Sequence, residues 1–591
     1  MNHSFDTVYA LLQPEARTLY DAIFEPVVVG TPPTFAARDL CVTADGEFRH
    51  YGWRDVGGRR LRVYIASRDL GLNWELRFAT PDEIGAFTQS PFSGEWIALF
   101  SSEKADGALC AARSKTGPGD PAPNIFTLPW KGLELRQLLP LTHRRRWVAA
   151  LSVVDIHSPD CYHAAVLLSD DDGRTWRRID IPPVADVPRL FPGDLRPHWF
   201  NNGCEPTVAE LADGSLLLAV RTSGPHAAFY RSTDGGESWG TPKTRDCFWQ
   251  SNTMPYLFRL SDGRLLFFWN NTAPLPTRDA AEYPELGKDE LNGIWEVVFT
   301  NRDALHAAIS NDDGRTWHGF REIALTEPRN AADFRELGNG PVDEHDKSVH
   351  QTQALELPGG KVLLSYGQNP AARRLAIFDS DWLMETSRQE DFRTGLGRIS
   401  NHLYVRSLSG GWRGWAGHCA WNRMPGATLV RDPFADAPPQ GEERSVREVL
   451  QLARIDDPRL VSGRQGIVWN FPAMRRGVVT VECRIVGAGF RLSLSDHWMN
   501  PSDETNPPRS PFSTEITAAE LPGAPWHALT AEWDEDAGTI ALSDNGNPLA
   551  VCPLASRPPF GLSYLHLQTL ADGADPDGTY IRRLAAHAEQ G

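Results

Sequence analysis

Four copies of one eight-residue motif, Ser-x-Asp-x-Gly-x-x-Trp, start at Ser67, Ser169, Ser232 and Ser310 of the 591-residue chain. The second copy, in AAVLLSDDDGRTW, shows that the motif follows a β-rich run. In a tight turn Asp bonds its own backbone and Gly accepts positive φ, while a buried Trp anchors the returning strand. Each copy therefore predicts a β-hairpin in which the motif stabilises the turn and has no chemical role.

Two degenerate copies extend the series. ARSKTGPGD around Ser114 keeps the Ser and the glycines, and LAIFDSDW around Asp379 keeps the acid and the Trp. The six starts are separated by roughly the length of a four-stranded propeller blade, and hairpins such as VAELADGSLLLAVR recur in phase with them. The pattern predicts a six-bladed β-propeller over residues 31–432.

The two flanks of this region differ from it. Residues 1–30 predict a helical extension, and the Pro- and Asp-rich stretch at 433–445 predicts a linker. From residue 446 to residue 591, alternating strands such as GVVTVECRIVGAGFRLSLSD predict a β-sandwich or jelly roll. This part is similar to the concanavalin/laminin-G-like modules often attached to glycosidases. Such a module can bind carbohydrate, or it can cover a propeller face or a dimer partner. We expect the scaffold role, with the sandwich as one surface through which copies of the chain could form a homo-oligomer.

Charge and composition exclude several classes of protein. The formal net charge of −17 argues against a nucleic-acid partner, which needs a concentrated basic face. No run approaches the ~20 apolar residues of a membrane span, and the N-terminus has no apolar signal-peptide core. The eight cysteines show no C-x-x-C pair or metal-ligand spacing. The sequence thus predicts a cytoplasmic protein with free thiols, no membrane contact, no metal and no cofactor.

The repeats make the chain similar to the sialidase superfamily, whose six-bladed propellers carry motifs of this form, called Asp-boxes or BNR repeats. The resemblance spans residues 30 to 430 and implies a site for a carboxylated sugar. Sialidases hold that carboxylate with three arginines, whose guanidinium groups are always charged and bind it through paired hydrogen bonds. The matching positions are Arg38 in ARDLCVTADG, Arg221 at the end of VAELADGSLLLAVR, and Arg302 in NRDALHAAIS.

The same resemblance implies the reacting groups and shows one departure. Asp55 matches the acid/base Asp, and Glu205 matches the Glu that activates a nucleophilic Tyr, but Gln351 stands at the Tyr position, after His350. The missing Tyr argues against the usual double displacement. His350 is then a candidate base that activates water, which predicts inversion, or that abstracts a proton from the sugar. Glu205 would orient His350 or polarise water.

Further polar and aromatic residues lie where inner strands are expected to start. Trp199 and Asn202 precede Glu205 in WFNNGCEP, and Asn252 lies at the equivalent place in WQSNTMP. Such starts line the central funnel of a propeller, so these side chains are candidates for stacking on a sugar and hydrogen bonding to it.

Together these features predict a glycoside hydrolase of carbohydrate metabolism. It would be an exo-acting enzyme that releases a sialic, other ulosonic or uronic acid from a short glycan by a mechanism without the Tyr nucleophile. Its partner would be an acidic mono- or oligosaccharide. Three alternatives stay open: a uronate-directed lyase with His350 as base, a non-catalytic propeller that binds acidic sugars, and a protein-interaction scaffold.

Overall fold

The computed structural model describes most of the chain. The described residues are 2–34, 39–80, 83–154, 162–184, 203–222, 224–251, 253–272, 302–326, 348–368, 372–404, 423–435, 448–458, 460, 462–502, 504, 507–521 and 525–589. They fall into two compact units, each built almost wholly from strands. The first unit comprises Met1–Asn270, Leu305–Trp317 and Asp346–Leu383, and the second comprises Asn271–Ala304, His318–His345 and Met384–Gly591.

Small antiparallel sheets follow one another along the first unit. The first sheet consists of β2 (Leu40–Val42), β3 (Phe48–Val56), β4 (Arg59–Ser67) and β5 (Glu75–Phe78). The second consists of β6 (Thr88–Gln89), β7 (Trp96–Ser102), β8 (Ala108–Ser114) and β9 (Asn124–Lys131). The third consists of β10 (Leu133–Pro140), β11 (Trp147–Val154), β12 (Tyr162–Ser169) and β13 (Arg177–Asp180). The next are β14 (Cys204–Glu210), β15 (Leu216–Arg221), β16 (His226–Ser232) and β17 (Lys243–Trp249), and then a sheet that begins with β18 (Tyr256–Arg259), β19 (Leu265–Trp269) and β20 (Ala304–Ser310). In each of these sheets the strands are paired in chain order.

The last sheet of the first unit combines the two ends of the propeller sequence. It holds β22 (Gln353–Glu356), β23 (Lys361–Tyr366), β24 (Arg374–Asp379) and, as its fourth strand, β1 (Val27–Gly30), which pairs antiparallel with β24. The side-chain amide of Gln353 also bonds both backbone groups of Leu40, accepting from its N–H at 3.2 Å and donating to its carbonyl at 2.9 Å. Strand β22 is thereby joined to β2, the first strand of the first sheet.

Two helices precede β1. They are α1 (Asn2–Ala10) and α2 (Pro14–Ala22). The Tyr20 hydroxyl donates to the Pro358 carbonyl at 2.7 Å, and Tyr20 is buried in a cluster with Leu363 and Ile377. The helices therefore pack on the sheet that β1 completes. In the described part of the chain no helix has the length and apolarity needed to cross a membrane.

The repeated motif forms the same hydrogen-bonded turn at successive sites. In the copy that starts at Ser169, the Gly173 N–H donates to the Ser169 hydroxyl at 2.8 Å and the Thr175 N–H donates to Asp171 at 2.8 Å. The Trp176 ring N–H donates to the Gly173 carbonyl at 3.1 Å. In the degenerate copy the Ser114 hydroxyl still accepts from the Gly117 N–H, at 2.7 Å. The motif thus closes turns at the ends of strands such as β8 and β12.

The second unit contains a two-sheet sandwich. The larger sheet has the order β29 (Thr428–Arg431), β30 (Glu448–Arg454), β39 (Asp575–Ala588), β32 (Arg476–Ile485), β35 (His527–Asp534), β36 (Thr539–Asp544) and β37 (Asn547–Pro553), with β25 (Ser387–Glu390) also paired to β39. The smaller has the order β26 (Ile399–Ser400), β31 (Gly466–Met474), β38 (Leu562–Thr569), β33 (Phe490–Ser495) and β34 (Phe512–Ile516). The unit also holds β21 (His318–Leu325) and the pair β27 (His402–Tyr404) and β28 (Arg423–Pro425).

One apolar core lies between the two sandwich sheets. Trp469 and Phe471 of β31 and Trp533 of β35 are buried in it together. The strands β25, β26 and β29 come before residue 432, so the sandwich draws strands from both sides of the predicted linker. The predicted fold class, an all-β chain with a six-bladed sialidase-like propeller followed by a β-sandwich, is confirmed.

Candidate functional site

A cavity of about 1640 Å³ lies within the first unit. Its walls include residues of the strands that begin the sheets, among them Leu40, Arg136, Val208 and Gln353. Arg136 is one of several charged side chains in this wall. The predicted Glu205 and Gln351 both contact Arg136.

Glu205 is the centre of this polar group. Its carboxylate is buried and has three partners: Arg221 Nη1 lies 3.0 Å from Oε2, Arg136 Nη2 lies 3.0 Å from Oε1, and Gln351 Nε2 donates to Oε1 at 3.1 Å. Burial alone would raise the pKa of Glu205, but the two guanidinium groups and the Gln351 amide hold that pKa well below its usual range. Glu205 is therefore a fixed negative charge at neutral pH.

The backbone at Glu205 explains how the side chain reaches the cluster. Glu205 lies at an irregularity of β14, where the pairing with β15 shifts between Cys204 and Thr207, and its φ is 47°. Bulges re-aim side chains at the ends of strands, and non-glycine residues with positive φ concentrate at functional sites. The Ser152 hydroxyl accepts the Glu205 N–H at 2.8 Å and fixes this conformation.

Gln351 takes part in the same network just before β22. Its φ is 60°, its amide nitrogen donates to Glu205, and its amide oxygen accepts from Arg136 Nη1 at 3.3 Å. The residue predicted at the Tyr position therefore contacts the predicted Glu, although an amide has neither a nucleophilic hydroxyl nor an acidic proton. The neighbouring His350 is 1% exposed, and its carbonyl accepts the Gly367 N–H at 2.6 Å.

Arg136 is the member of the cluster that sequence reasoning missed. It lies on β10, where the pairing with β11 shifts between Leu135 and Gln137. Besides Glu205 and Gln351, it contacts the Glu134 carboxylate at 2.7 Å and the Ser152 hydroxyl at 3.2 Å. The available signal was an arginine within the leucine-rich strand sequence LELRQLLP, since a charged residue in a partly buried strand needs a partner.

The other predicted residues have different positions. Arg221 is the last residue of β15 and joins the cluster through Glu205. Asp55 is exposed near the end of β3, and within the described residues no hydrogen bond or ion pair connects it to Glu205 or Arg221. Arg302 is 2% exposed and belongs to the second unit. The predicted residues outside the described part of the chain are Arg38, Trp199, Asn202 and Asn252.

Comparisons with known proteins found one family match and several matching solved structures. Residues 128–334 match the family described as "BNR repeat-like domain". No curated protein matches the chain. The matching solved structures include a protein of unknown function from Dyadobacter fermentans, at 18% identity over 60% of this chain and 97% of that one, with a TM-score of 0.36. They also include Trypanosoma rangeli sialidase, at 13% identity over 95% of this chain and 92% of that one, with a TM-score of 0.30.

The fold and the repeats define a class of protein. Sheets of four antiparallel strands and the repeated turn motif occur together in the first unit, and the BNR repeat-like match begins within it at residue 128. Residues 128–334 therefore carry a BNR repeat-like domain.

Proposed function

We propose that the chain is an exo-acting glycoside hydrolase that releases a carboxylate-bearing sugar without a Tyr nucleophile. The observation that carries the proposal is the position of Glu205, held as a buried anion between Arg136 and Arg221 in a group that reaches the cavity wall. Breaking a glycosidic bond builds positive charge on the sugar ring. A preorganised carboxylate stabilises that charge better than water does, because it needs no reorganisation during the reaction.

The proposed division of labour combines the chemistry of the cluster with the roles that the resemblance suggests for Asp55 and His350. Arg221 would bind the sugar carboxylate, and Glu205 would stabilise the developing positive charge. Because two guanidinium groups keep Glu205 ionised, it is a poor proton acceptor, and Gln351 cannot form a covalent intermediate through a hydroxyl. Water would attack directly, with His350 as its base and Asp55 as the acid that protonates the leaving oxygen.

The substrate class rests on the resemblance and on the arginines. Trypanosoma rangeli sialidase has been solved with sialic acid. By analogy we propose a sialic acid, another ulosonic acid or a uronic acid as the released sugar. The carboxylate is bonded to the anomeric carbon in sialic and other ulosonic acids and to the carbon across the ring oxygen in uronic acids. A guanidinium group binds a carboxylate through paired hydrogen bonds in either case.

Reporter glycosides of these acids, followed by proton NMR of the first product, test the proposal. We expect release with inversion, lost in Arg221→Ala and in His350→Ala. Arg231→Ala is the matched control, because Arg231 is in the same sheet but pairs with Asp213 at the surface. Retention of configuration would contradict direct attack by water. An unsaturated product that absorbs in the ultraviolet would contradict hydrolysis and indicate β-elimination with His350 as the base.

A second candidate function is acidic-sugar binding without turnover. It is favoured by the same cluster, because both oxygens of Glu205 already have partners and Gln351 stands where the family has its nucleophile. Calorimetry separates the two functions. Binding of a free acidic sugar by wild type, with no turnover of any reporter and unchanged affinity in His350→Ala, would support the binding protein against the enzyme.

We also propose a cytoplasmic location. In the described part of the chain, the six cysteines are thiols and form no disulfide bond, which is typical of proteins in a reducing compartment. Fractionation of cells that express the full-length chain checks this: recovery in the cytosolic fraction is expected, and recovery outside the cell would contradict it.

A further inference from the structure

The hairpin formed by β3 and β4 ends in an exposed basic segment. We call residues 53–62 the arm. The arm contains four arginines and one aspartate, while the whole chain carries a net charge of −17. The residues of the arm from Trp53 to Arg60 are exposed. A local positive charge on an acidic protein attracts anions to one place and repels them elsewhere.

The register of the hairpin divides the arm into two faces. Trp53 pairs with Arg62 and Asp55 pairs with Arg60, so these four side chains share one face. Val56 pairs with Arg59, and these belong to the opposite face. The two neighbouring arginines at positions 59 and 60 are therefore equal in charge and exposure but point to opposite sides of the arm.

On the first face, cations and aromatic rings alternate. The Arg62 guanidinium lies 5.4 Å from the ring centre of Tyr51 and 5.1 Å from that of Trp53, and the Arg60 guanidinium lies 5.4 Å from the same Trp53 ring. Such contacts hold the side chains in place. Arg62 is also 3.8 Å from Asp39, whereas Arg60 keeps its exposed donors for a ligand.

Two of the four side chains on this face reach the cavity of the candidate site. Trp53 and Arg62 line the cavity, as does Arg136, which binds Glu205. Trp53 is 36% exposed, which leaves ring surface available for contact. An exposed Trp ring beside arginines can stack on the C–H face of a sugar ring while a guanidinium pairs with the sugar's anionic group.

We propose that the arm binds a second, anionic sugar unit, next to the sugar held at Glu205. The inference rests on the proposed function, and it narrows the substrate class from a single acidic sugar on any glycan to an oligosaccharide with at least two anionic units. Trp53 stacks on the second unit and Arg60 pairs with its charge. The charge is a carboxylate or a sulfate ester, since a guanidinium binds both.

Binding measurements on surface variants test the arm. The probes are tri-galacturonate, a sulfated chondroitin tetrasaccharide and neutral maltotriose, each titrated calorimetrically at low and at higher salt. We expect wild type to bind at least one anionic probe and to bind it less tightly as salt rises. Trp53→Ala and Arg60→Ala should weaken that binding roughly fivefold or more. Arg59→Ala, the matched control on the opposite face, should change it less than twofold, and melting curves check that all variants fold.

Several outcomes would overturn the inference. They are equal losses in Arg59→Ala and Arg60→Ala, equally tight binding of maltotriose, equally tight binding of a short RNA, and no binding of either anionic probe. Binding of tri-galacturonate would show that a carboxylate is sufficient, and binding of the chondroitin probe alone, which carries both groups, would show that the sulfate is required. Turnover of reporter glycosides is measured separately on wild type. If the arm binds an anionic probe but wild type turns over no reporter glycoside, only the hydrolase proposal is rejected. If wild type turns over a reporter glycoside but Arg60→Ala binds the anionic probes as tightly as wild type does, only the arm proposal is rejected.

Discussion

At the scale of single residues, Glu205 is the group on which the candidate site depends. Its two ion pairs and the Gln351 amide satisfy it in the folded chain, and removing its charge leaves Arg136 and Arg221 without their shared anion. The two guanidinium groups would then have one competing anion fewer, so they would bind a substrate carboxylate more favourably. The loss of this charge should therefore lower turnover without weakening the binding of an acidic sugar.

Glu205→Gln tests this expectation. The variant keeps the size of the side chain and can still accept from one arginine, but it loses the negative charge. We expect turnover of a carboxylated reporter to fall by about 10²-fold or more, while the dissociation constant for the free acidic sugar stays the same or decreases. Stopped assays and calorimetry measure the two quantities. Unchanged turnover in Glu205→Gln would contradict a role for the charge in catalysis.

At the scale of elements, the repeated turn can be separated from the chemistry. In the copy that starts at Ser310, the Asp312 carboxylate accepts from the Thr316 N–H at 2.8 Å and the Arg315 N–H at 3.0 Å, and the Trp317 ring N–H donates to the Gly314 carbonyl. These bonds tie the end of β20 to the residues that follow it. The turn should therefore contribute to stability and leave activity unaffected.

Asp312→Ala is the corresponding variant. Losing several hydrogen bonds to one carboxylate should lower the free energy of unfolding by about 1–3 kcal/mol. Asn311→Ala, at the exposed neighbouring position, is the matched control and should change it by less than about 0.5 kcal/mol. Denaturant titration measures both, and reporter turnover below the melting temperature should match wild type. Equal stability of the two variants would mean that the motif does not stabilise the turn.

The elements also show why some of the site could be predicted and some could not. Glu205 and Arg221 begin and end one hairpin, so a strand–turn–strand pattern in the sequence locates both. Gln351 follows from its place ahead of the next hairpin. Arg136 has no such landmark, because it lies where the pairing of β10 shifts, and the direction of a side chain at a bulge does not follow strand alternation.

At the scale of the whole molecule, the repeats predicted the sheets of the propeller but not which strand completes the last sheet. The spacing of the turns gives the number of sheets, because each turn is local. The pairing of β1 with β24 joins residues some 350 positions apart, and a short strand such as VVVG carries no sign of its partner. The same holds for β25, which pairs with β39. Long-range pairing depends on tertiary packing that local patterns do not encode.

The two units should respond to pH in opposite ways. The lowered pKa of Glu205 adds stability to the first unit above the unfolded carboxyl pKa of about 4.3, and this stability is lost as the pH falls below that value. In the second unit Glu535 is 1% exposed, with Arg475 Nε 3.6 Å from its carboxylate. Burial raises the pKa of Glu535 to about 8. Its ionisation therefore favours unfolding as the pH rises from about 4.3 towards 8.

Glu535→Gln tests the pH dependence expected for the second unit. The variant removes the group whose ionisation opposes folding, so it should be more stable than wild type at pH 8, by on the order of 2 kcal/mol, and close to wild type at pH 5. Denaturant titrations at the two pH values measure the difference. A stability difference that is the same at both pH values would contradict the assignment to Glu535 ionisation.

In our proposal, the cluster of Arg136, Glu205, Arg221 and Gln351 acts on a sugar because of the sugar's carboxylate. The most direct measurement compares kcat/KM for a carboxylated reporter glycoside with that for its carboxyl-reduced counterpart, in wild type and in Arg221→Ala. We predict that wild type prefers the carboxylated glycoside by about a hundredfold, and that Arg221→Ala removes most of the preference. Equal kcat/KM values for the two glycosides in wild type would contradict the claim.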